Sequence, residues 1–363
     1  MDRRTTKSIK LALQGGGSHG AFTWGVLDHL LEDERVHIEA ISGTSAGAMN
    51  AVALADGMAR GGPAEARRQL ESLWSATSAA ARFSPIRRSP IDMLMGNWSL
   101  DNSPAFIMME YLSHQFSPYD FNPLDFNPLR DVVAGCIDFD RVNEPSGVKV
   151  FLTATNVRTG RPKIFRKPAI TLDSVMASAC LPFMFKAVEI DGEAYWDGGY
   201  MGNPALFPLV DECEAGDAVL IQINPFYRPD VPRSTADIRN RLNEITFNAS
   251  LFKELRSLAF LWEIIHHENL ERERYRDIHV HAIHDADTML ALRVSSKLNA
   301  EWAFLTHLRD RGRKAAEDWL SKHYDDLGVR STLDLSWVFS ESLQPAHLEE
   351  GAERNYPIGA AAG

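Results

Sequence analysis

The chain has 363 residues, of which 45% are hydrophobic and 24% charged; this composition folds, and it excludes collagen-like repeats and intrinsic disorder. Lys and Arg number 38 against 49 Asp and Glu, a net charge of −11, which repels polyanions and argues against nucleic acid as a partner. Cys136, Cys180 and Cys213 stand far apart with no CxxC spacing, so neither a disulfide framework nor a cysteine zinc site is expected, and a reducing compartment fits.

The first apolar run, Ile9 to Leu13, is cut short by Gln14 and glycines. A secretory signal core needs about 7–15 apolar residues and a spanning helix about 20, so the expectation is a cytoplasmic protein, with peripheral membrane contact left open. Ile9–Leu13 reads as a strand, Gln14–Gly20 as a glycine turn, and Ala21–Asp33 as a helix whose Phe22, Val26 and Leu30, with Leu27 and Leu31, recur at helical spacing. Val36–Ile41 is a second β-rich run, followed by Ser42-Gly43-Thr44-Ser45-Ala46-Gly47 and an alanine-rich segment to about Arg60. Two strand–turn–helix units so close together predict an α/β fold, a mainly parallel central sheet flanked by helices with ligands at the carboxyl ends of strands.

Residues 84–130 differ in character. Prolines, Trp98, Phe106, Tyr111, Phe116 and four methionines mark an insertion, either a lid-like acyl-binding surface near Arg82, Arg87 and Arg88 or, the preferred reading, ordinary core packing. The repeated Asp-Phe-Asn-Pro-Leu at Asp120 and Asp125 reads as successive Asn-Pro turns. Further strands are predicted at Val148–Thr155, answered by Lys163–Arg166, and at Ala218–Ile223 and Ile278–Ile283, with a hairpin at Asp191-Gly192. From Ala236 to about Tyr324 the composition is otherwise helical, ending in a helix at Ala300–His323. The expected organisation is a catalytic unit over 1–235, a helical extension over 236–340 that packs on it and partly completes it, and a frayed tail over 341–363.

Three segments carry chemistry. Gly43-Thr44-Ser45-Ala46-Gly47 matches G-x-S-x-G between a strand and a helix, where a tight turn exposes the serine hydroxyl and a Cβ at Gly43 or Gly47 would collide with neighbouring backbone; a serine in that place also serves as a plain helix cap. Gly15-Gly16-Gly17-Ser18-His19-Gly20 frees backbone N–H groups ahead of a helix, a seat for a phosphate or for the oxyanion of acyl transfer. Asp197, in Tyr195-Trp196-Asp197-Gly198-Gly199, follows a returning strand; aromatic neighbours would raise its pKa as a general base needs, while Asp before Gly also forms ordinary Asx-turns.

Together these segments, with the block Ala177-Ser178-Ala179-Cys180-Leu181-Pro182-Phe183-Met184-Phe185, resemble the patatin-like phospholipase family over roughly Ile9 to Pro204. The resemblance implies a three-layer α/β/α fold and a Ser-Asp dyad acyl hydrolase acting on phospholipids, acylglycerols or other acyl esters. It implies Ser45 as nucleophile, Asp197 as base, the amides of Gly15, Gly16 and Gly17 as oxyanion hole, and no metal or cofactor. Gln14 and His19 stand where the family usually has an acid and an Arg or Lys, positions on which backbone donors do not depend.

Two rival readings accompany this one. Gly15, Gly17 and Gly20 also fit G-x-G-x-x-G, with Glu39 as the ribose-binding acid of a nucleotide site. A Ser-His-Asp triad would draw its histidine from His266, His267, His279, His281 or His284. The alternation around His279 and His281 resembles a strand with one polar face, so these are expected to be structural or exposed; a His279-His281-His284 metal site and catalytic cysteine chemistry at Cys180 are disfavoured. The oligomeric state is left open.

Overall fold

A computed structural model describes residues 6–267 and 278–335; the tail at 341–363 lies outside the described residues. β1 (Lys7–Leu13) leads into α1 (Gly20–Glu32), and β2 (Val36–Gly43) into α2 (Ala46–Gly61) and α3 (Pro63–Ala80). The insertion holds α4 (Pro90–Leu94), α5 (Pro104–Gln115) and α6 (Pro118–Phe121), after which come α7 (Pro128–Cys136) and α8 (Phe139–Val142). β3 (Lys149–Asn156) and β4 (Pro162–Arg166) precede α9 (Leu172–Ser178) and the β5 (Val188–Ile190)–β6 (Glu193–Asp197) hairpin, which turns at Asp191-Gly192 with both residues at positive φ. The chain continues through α10 (Phe207–Glu212), β7 (Asp217–Ile221), α11 (Thr235–His267), β8 (His279–Ile283), α12 (Ala286–Ala291) and α13 (Trp302–His323).

The strands form one eight-stranded sheet ordered β5-β6-β3-β2-β1-β7-β8, with β4 beside β3. β3, β2, β1, β7 and β8 run parallel; β4, β5 and β6 are antiparallel additions. β1 from Ile9 on and all of β7 are buried on both faces, as a parallel sheet covered by helices requires. Ile9, Leu11, Leu13, Leu152 and Ile221 point into a core shared with α1, α2, α3 and α13, while Ala12, Ala40, Leu220 and Val280 point into a second core with Leu209 of α10 and Leu251 and Leu255 of α11. The architecture is three-layer α/β/α. Each fully buried Leu, Ile or Phe here contributes about 1.5–3 kcal/mol.

One expectation is corrected. Most of the insertion is not core: Leu94 and Leu124 are 87% and 91% exposed, Met95, Met108 and Tyr111 also face out, and α5 buries no residue. Of the two outcomes expected for the histidines of β8, His281 shows the structural one. His281 is fully buried, its Nε2 3.0 Å from Asp217 Oδ1 and its Nδ1 2.9 Å from Thr332 Oγ1, with Trp319 of α13 packed edge-on against its ring.

Candidate active site

β3 is the ruler that assembles the site. Gly43, last residue of β2, pairs with Leu152 of β3, and two residues further along the same strand Ala154 pairs with Asp197, last residue of β6. Because β4 also pairs with Leu152 and Ala154, it occupies the other edge of β3, so β6 takes up the edge that β2 vacates. The strand-ending turns bearing Ser45 and Asp197 are thereby brought together.

Ser45 has φ 55° and ψ −120°, a conformation that L-residues rarely adopt. It persists because the turn is held on every side. Thr44 N–H donates to Leu13 O at 3.3 Å, Gly47 N–H to Thr44 O at 2.8 Å, and Ser45 N–H to Ser178 Oγ at 2.9 Å. A Cβ on Gly43 would come within 2.5 Å of Gly47 O, and one on Gly47 within 2.3 Å of Leu13 O. Both glycines are thus where close packing of strand, elbow and helix demands them.

The glycine loop lies directly against the elbow: a Cβ on Gly15 would sit 2.7 Å from Ser45 Cβ. Gln14 is completely buried, its Oε1 accepting from the Ile223 and Asn224 amides at 2.9 Å and its Nε2 donating to Asn248 Oδ1 at 3.0 Å. A carboxylate there has no donor for the asparagine, so an amide suits this position. Of the three expected oxyanion donors, the Gly15 amide is already committed, donating to Asn203 Oδ1 at 2.6 Å. The Gly16 and Gly17 amides make no hydrogen bond to another described residue.

Asp197 is 1% exposed. Its N–H donates to Cys180 O at 2.8 Å, its carbonyl accepts from Thr155 Oγ1 at 2.8 Å, and its Oδ1 accepts from Gly199 N–H at 2.7 Å. Oδ2 is buried without a closed hydrogen bond. Burial pushes the carboxyl up to about 6, against the opposing pull of the Gly199 amide, the Ser45 hydroxyl and the Lys297 ammonium. An orphaned acceptor beside a serine hydroxyl, titrating near neutrality, suits proton transfer.

The block from Ala177 to Phe185 acts as a clamp, Ser178 holding the Ser45 amide and Cys180 the Asp197 amide. The loop after Asp197 is stitched to the other motifs, with Thr44 Oγ1 donating to Gly202 O at 2.7 Å and Ser42 Oγ to Ala205 O at 2.6 Å. Asn203, Asn224, Asn248 and Lys297 belong to this network and went unpredicted, for no local motif marks a partner that arrives from so far along the chain.

The rival sites do not assemble here. The Glu39 carboxylate is engaged by the Glu214 and Ala215 amides and by Lys149. His279 and His281 serve Asp217, the first residue of β7, at the end of the sheet opposite the elbow. His284 follows β8, the far edge strand, and the side chains of His266 and His267 lie outside the described residues. The Cys180 thiol is buried against Lys186 O at 3.0 Å and pushed up to about 12, which makes it a poor nucleophile.

A family model described as Patatin-like phospholipase matches residues 11–210, which include all four motif segments. The chain belongs to the patatin-like phospholipase family. Membership supports lipid hydrolase activity. Among solved structures, VipD from Legionella pneumophila is 14% identical, with 88% of this chain and 67% of that chain covered and a TM-score of 0.41. ExoU of the type III secretion system of Pseudomonas aeruginosa, solved with SpcU, is 15% identical, with 87% of this chain and 53% of that one covered and a TM-score of 0.28. No curated protein sequence matches. Asn224, Asn248 and Lys297 lie beyond the patatin-like match, yet they hold its glycine loop.

Proposed function

We propose that the protein is a serine lipid acyl hydrolase working through a Ser45–Asp197 dyad on phospholipids or related acyl esters. The observation that carries this reading is the convergence, past the ends of β1, β2 and β6, of a serine in a strained elbow, a glycine loop packed on it, and a buried carboxylate with one unpartnered oxygen. Asp197 Oδ2 takes the proton as Ser45 Oγ attacks the ester carbonyl, and the Gly16 and Gly17 amides receive the oxyanion. Collapse returns the proton to the departing alcohol and leaves an acyl-enzyme, which water opens by the same route. Gly15 belongs to the frame of this hole and not to its donors, because Asn203 holds its amide.

The exposed apolar side chains of α4, α5 and the turns up to Phe126 support lipid-facing use of the insertion and peripheral contact with lipid. No helix among the described residues is long and apolar enough to cross a membrane. Three free cysteines, two of them buried, agree with a reducing, cytoplasmic setting. The chemistry calls for no metal or cofactor.

A fluorophosphonate probe is expected to label Ser45 in the folded protein, and ester, lysophospholipid, phospholipid and acylglycerol panels to reveal turnover that Ser45→Ala removes. Absence of labelling together with measurable nucleotide binding would overturn the proposal in favour of a phosphate-binding glycine loop.

A further inference from the structure

Behind the glycine loop, on a short helical turn at Val294–Leu298, sits Lys297. It lies in a crevice lined by His19, Ile223, Asn240 and Glu244. Its Nζ donates to Asn224 Oδ1 at 2.8 Å and to Asn243 Oδ1 at 2.7 Å. The same Asn224 donates through Nδ2 to Gly15 O at 2.9 Å, so the ammonium is one side chain removed from the loop backbone. The Lys297 carbonyl abuts Gly17, where an added Cβ would fall 2.3 Å from it. On its other side the ammonium stands 5.6 Å from the centroid of Phe247, whose ring packs on Gly199, the residue whose amide holds Asp197.

Resting on the dyad reading above, we propose that Lys297 is a positioning residue for the hydrolysis, fixing the glycine loop through Asn224 and placing a buried cation behind Phe247 on the Asp197 side of the site.

The charged surroundings favour this assignment. Facing Asp197 are the Ser45 hydroxyl, the Tyr200 phenol and the Cys180 thiol, and burial pushes both of the latter up to about 12, so neither carries charge at working pH. Facing Lys297 are Asp197, Glu244 and His19. Glu244 is occupied by Arg228 and Arg241. His19, with Nε2 2.8 Å from Ser296 Oγ, is kept neutral by burial and by the ammonium itself. Burial lowers Lys297 to about 8, which leaves it charged through the range in which Asp197 titrates. The two asparagines bring dipoles and no counter-charge, so the field of Lys297 at Asp197 is not cancelled locally.

The test is the acid limb of the kcat/KM profile for a soluble ester, recorded for the full chain and for Lys297→Met and Lys297→Arg. With the cation gone, Asp197 holds its proton to higher pH, and the limb is expected to rise by about 0.5–1 pH unit, or about 3–10-fold in rate below it. Lys297→Arg keeps the charge and is expected to retain the wild-type limb. A limb unmoved in Lys297→Met, or moved equally in both variants, overturns the proposal. Should Lys297→Met not fold, Lys297→Gln, which keeps a polar end between the two asparagines, carries the same test. Infrared titration of the Asp197 carboxyl, taken as a difference against Asp197→Asn, reads the coupling without turnover. A titration that moves with no hydrolysis in the wild type would sink the dyad reading and leave the coupling standing; an unmoved one beside intact hydrolysis would do the reverse.

Discussion

If Asp197 titrates near 6 because burial opposes its charge, the ionised base destabilises the fold, and Asp197→Asn will stabilise the protein while stopping catalysis. The gap between the ordinary 3.8 and about 6 corresponds to about 3 kcal/mol once both states are ionised. The folded state holds the proton more tightly, so stability is full below about pH 4 and is lost as the pH rises through about 6. At pH 8 the whole penalty applies, and at pH 5 only about half of it. The asparagine keeps an acceptor for the Gly199 amide, but its NH2 group replaces an oxygen that had no closed partner, at a cost of about 1–2 kcal/mol that does not vary with pH. The net gain at pH 8 is therefore about 1–2 kcal/mol, falling by about 1.4 kcal/mol between pH 8 and pH 5. Urea unfolding of both proteins at the two pH values, followed by tryptophan fluorescence, measures the difference. A variant effect independent of pH would refute the burial argument, because only titration of Asp197 supplies the slope.

Three further outcomes follow from the packing. Gly47→Ala drives a methyl group to 2.3 Å from Leu13 O; the elbow must shift, and fluorophosphonate labelling of Ser45 is expected to slow at least tenfold. Asn203→Ala releases the Gly15 amide, costing about 1–3 kcal/mol for a buried donor left unmade and lowering kcat more than it raises KM. Ile107→Ser with Met108→Ser, on exposed positions of α5, is expected to weaken hydrolysis of vesicle phospholipid several-fold while leaving a soluble ester untouched; equal loss on both substrates would count against a lipid-facing insertion.

Most of the sheet was readable because parallel strands buried on both faces are written as mostly apolar runs, and Leu11, Leu13, Val219 and Ile221 say so without help from partners. The elbow and Asp197 were readable because short glycine motifs follow directly on strands. What the local pattern concealed was the company these residues keep. The Gly15 amide is claimed by a side chain 188 positions away, and Gln14 by backbone 209 and 210 positions away, so a run of glycines looked like three equivalent donors when one was spoken for. The insertion misled for a related reason. Scattered Met and aromatic residues are as common in cores as on lipid-facing surfaces, and only the exposure of α5, none of whose residues is buried, separates the two. In β8 an alternation that usually marks a wet face was covered by α13, which let His281 find Asp217 as a buried partner.

The patatin-like match ends at 210, and beyond it the sheet goes on with β7 and β8 and the core with α13. β8 covers β7, every residue of which is buried. α13 lies against α1 so closely that Gly25 and Gly312 are needed at the crossing, where added methyl groups would strike Arg309 O and Phe22 O. Phe304, Leu305, Leu308, Trp319 and Leu320 of α13 are all buried, and at about 1.5–3 kcal/mol each they represent about 8–15 kcal/mol, as much as the entire stability of an ordinary domain. The glycine loop touches the same region, His19 meeting Ser296 and Gly17 meeting Lys297, and at the opposite end of β1 Lys7 Nζ donates to the carbonyls of Tyr324 and Leu327. We therefore propose that residues 236–335 complete the catalytic unit and do not form an appendage to it. A 1–235 fragment is expected to bind hydrophobic dye, lose near-ultraviolet circular dichroism and leave Ser45 unlabelled. A monodisperse 1–235 fragment labelled at the full-length rate would refute this, since it would require β7 and α1 to hold their arrangement with one side of each stripped bare.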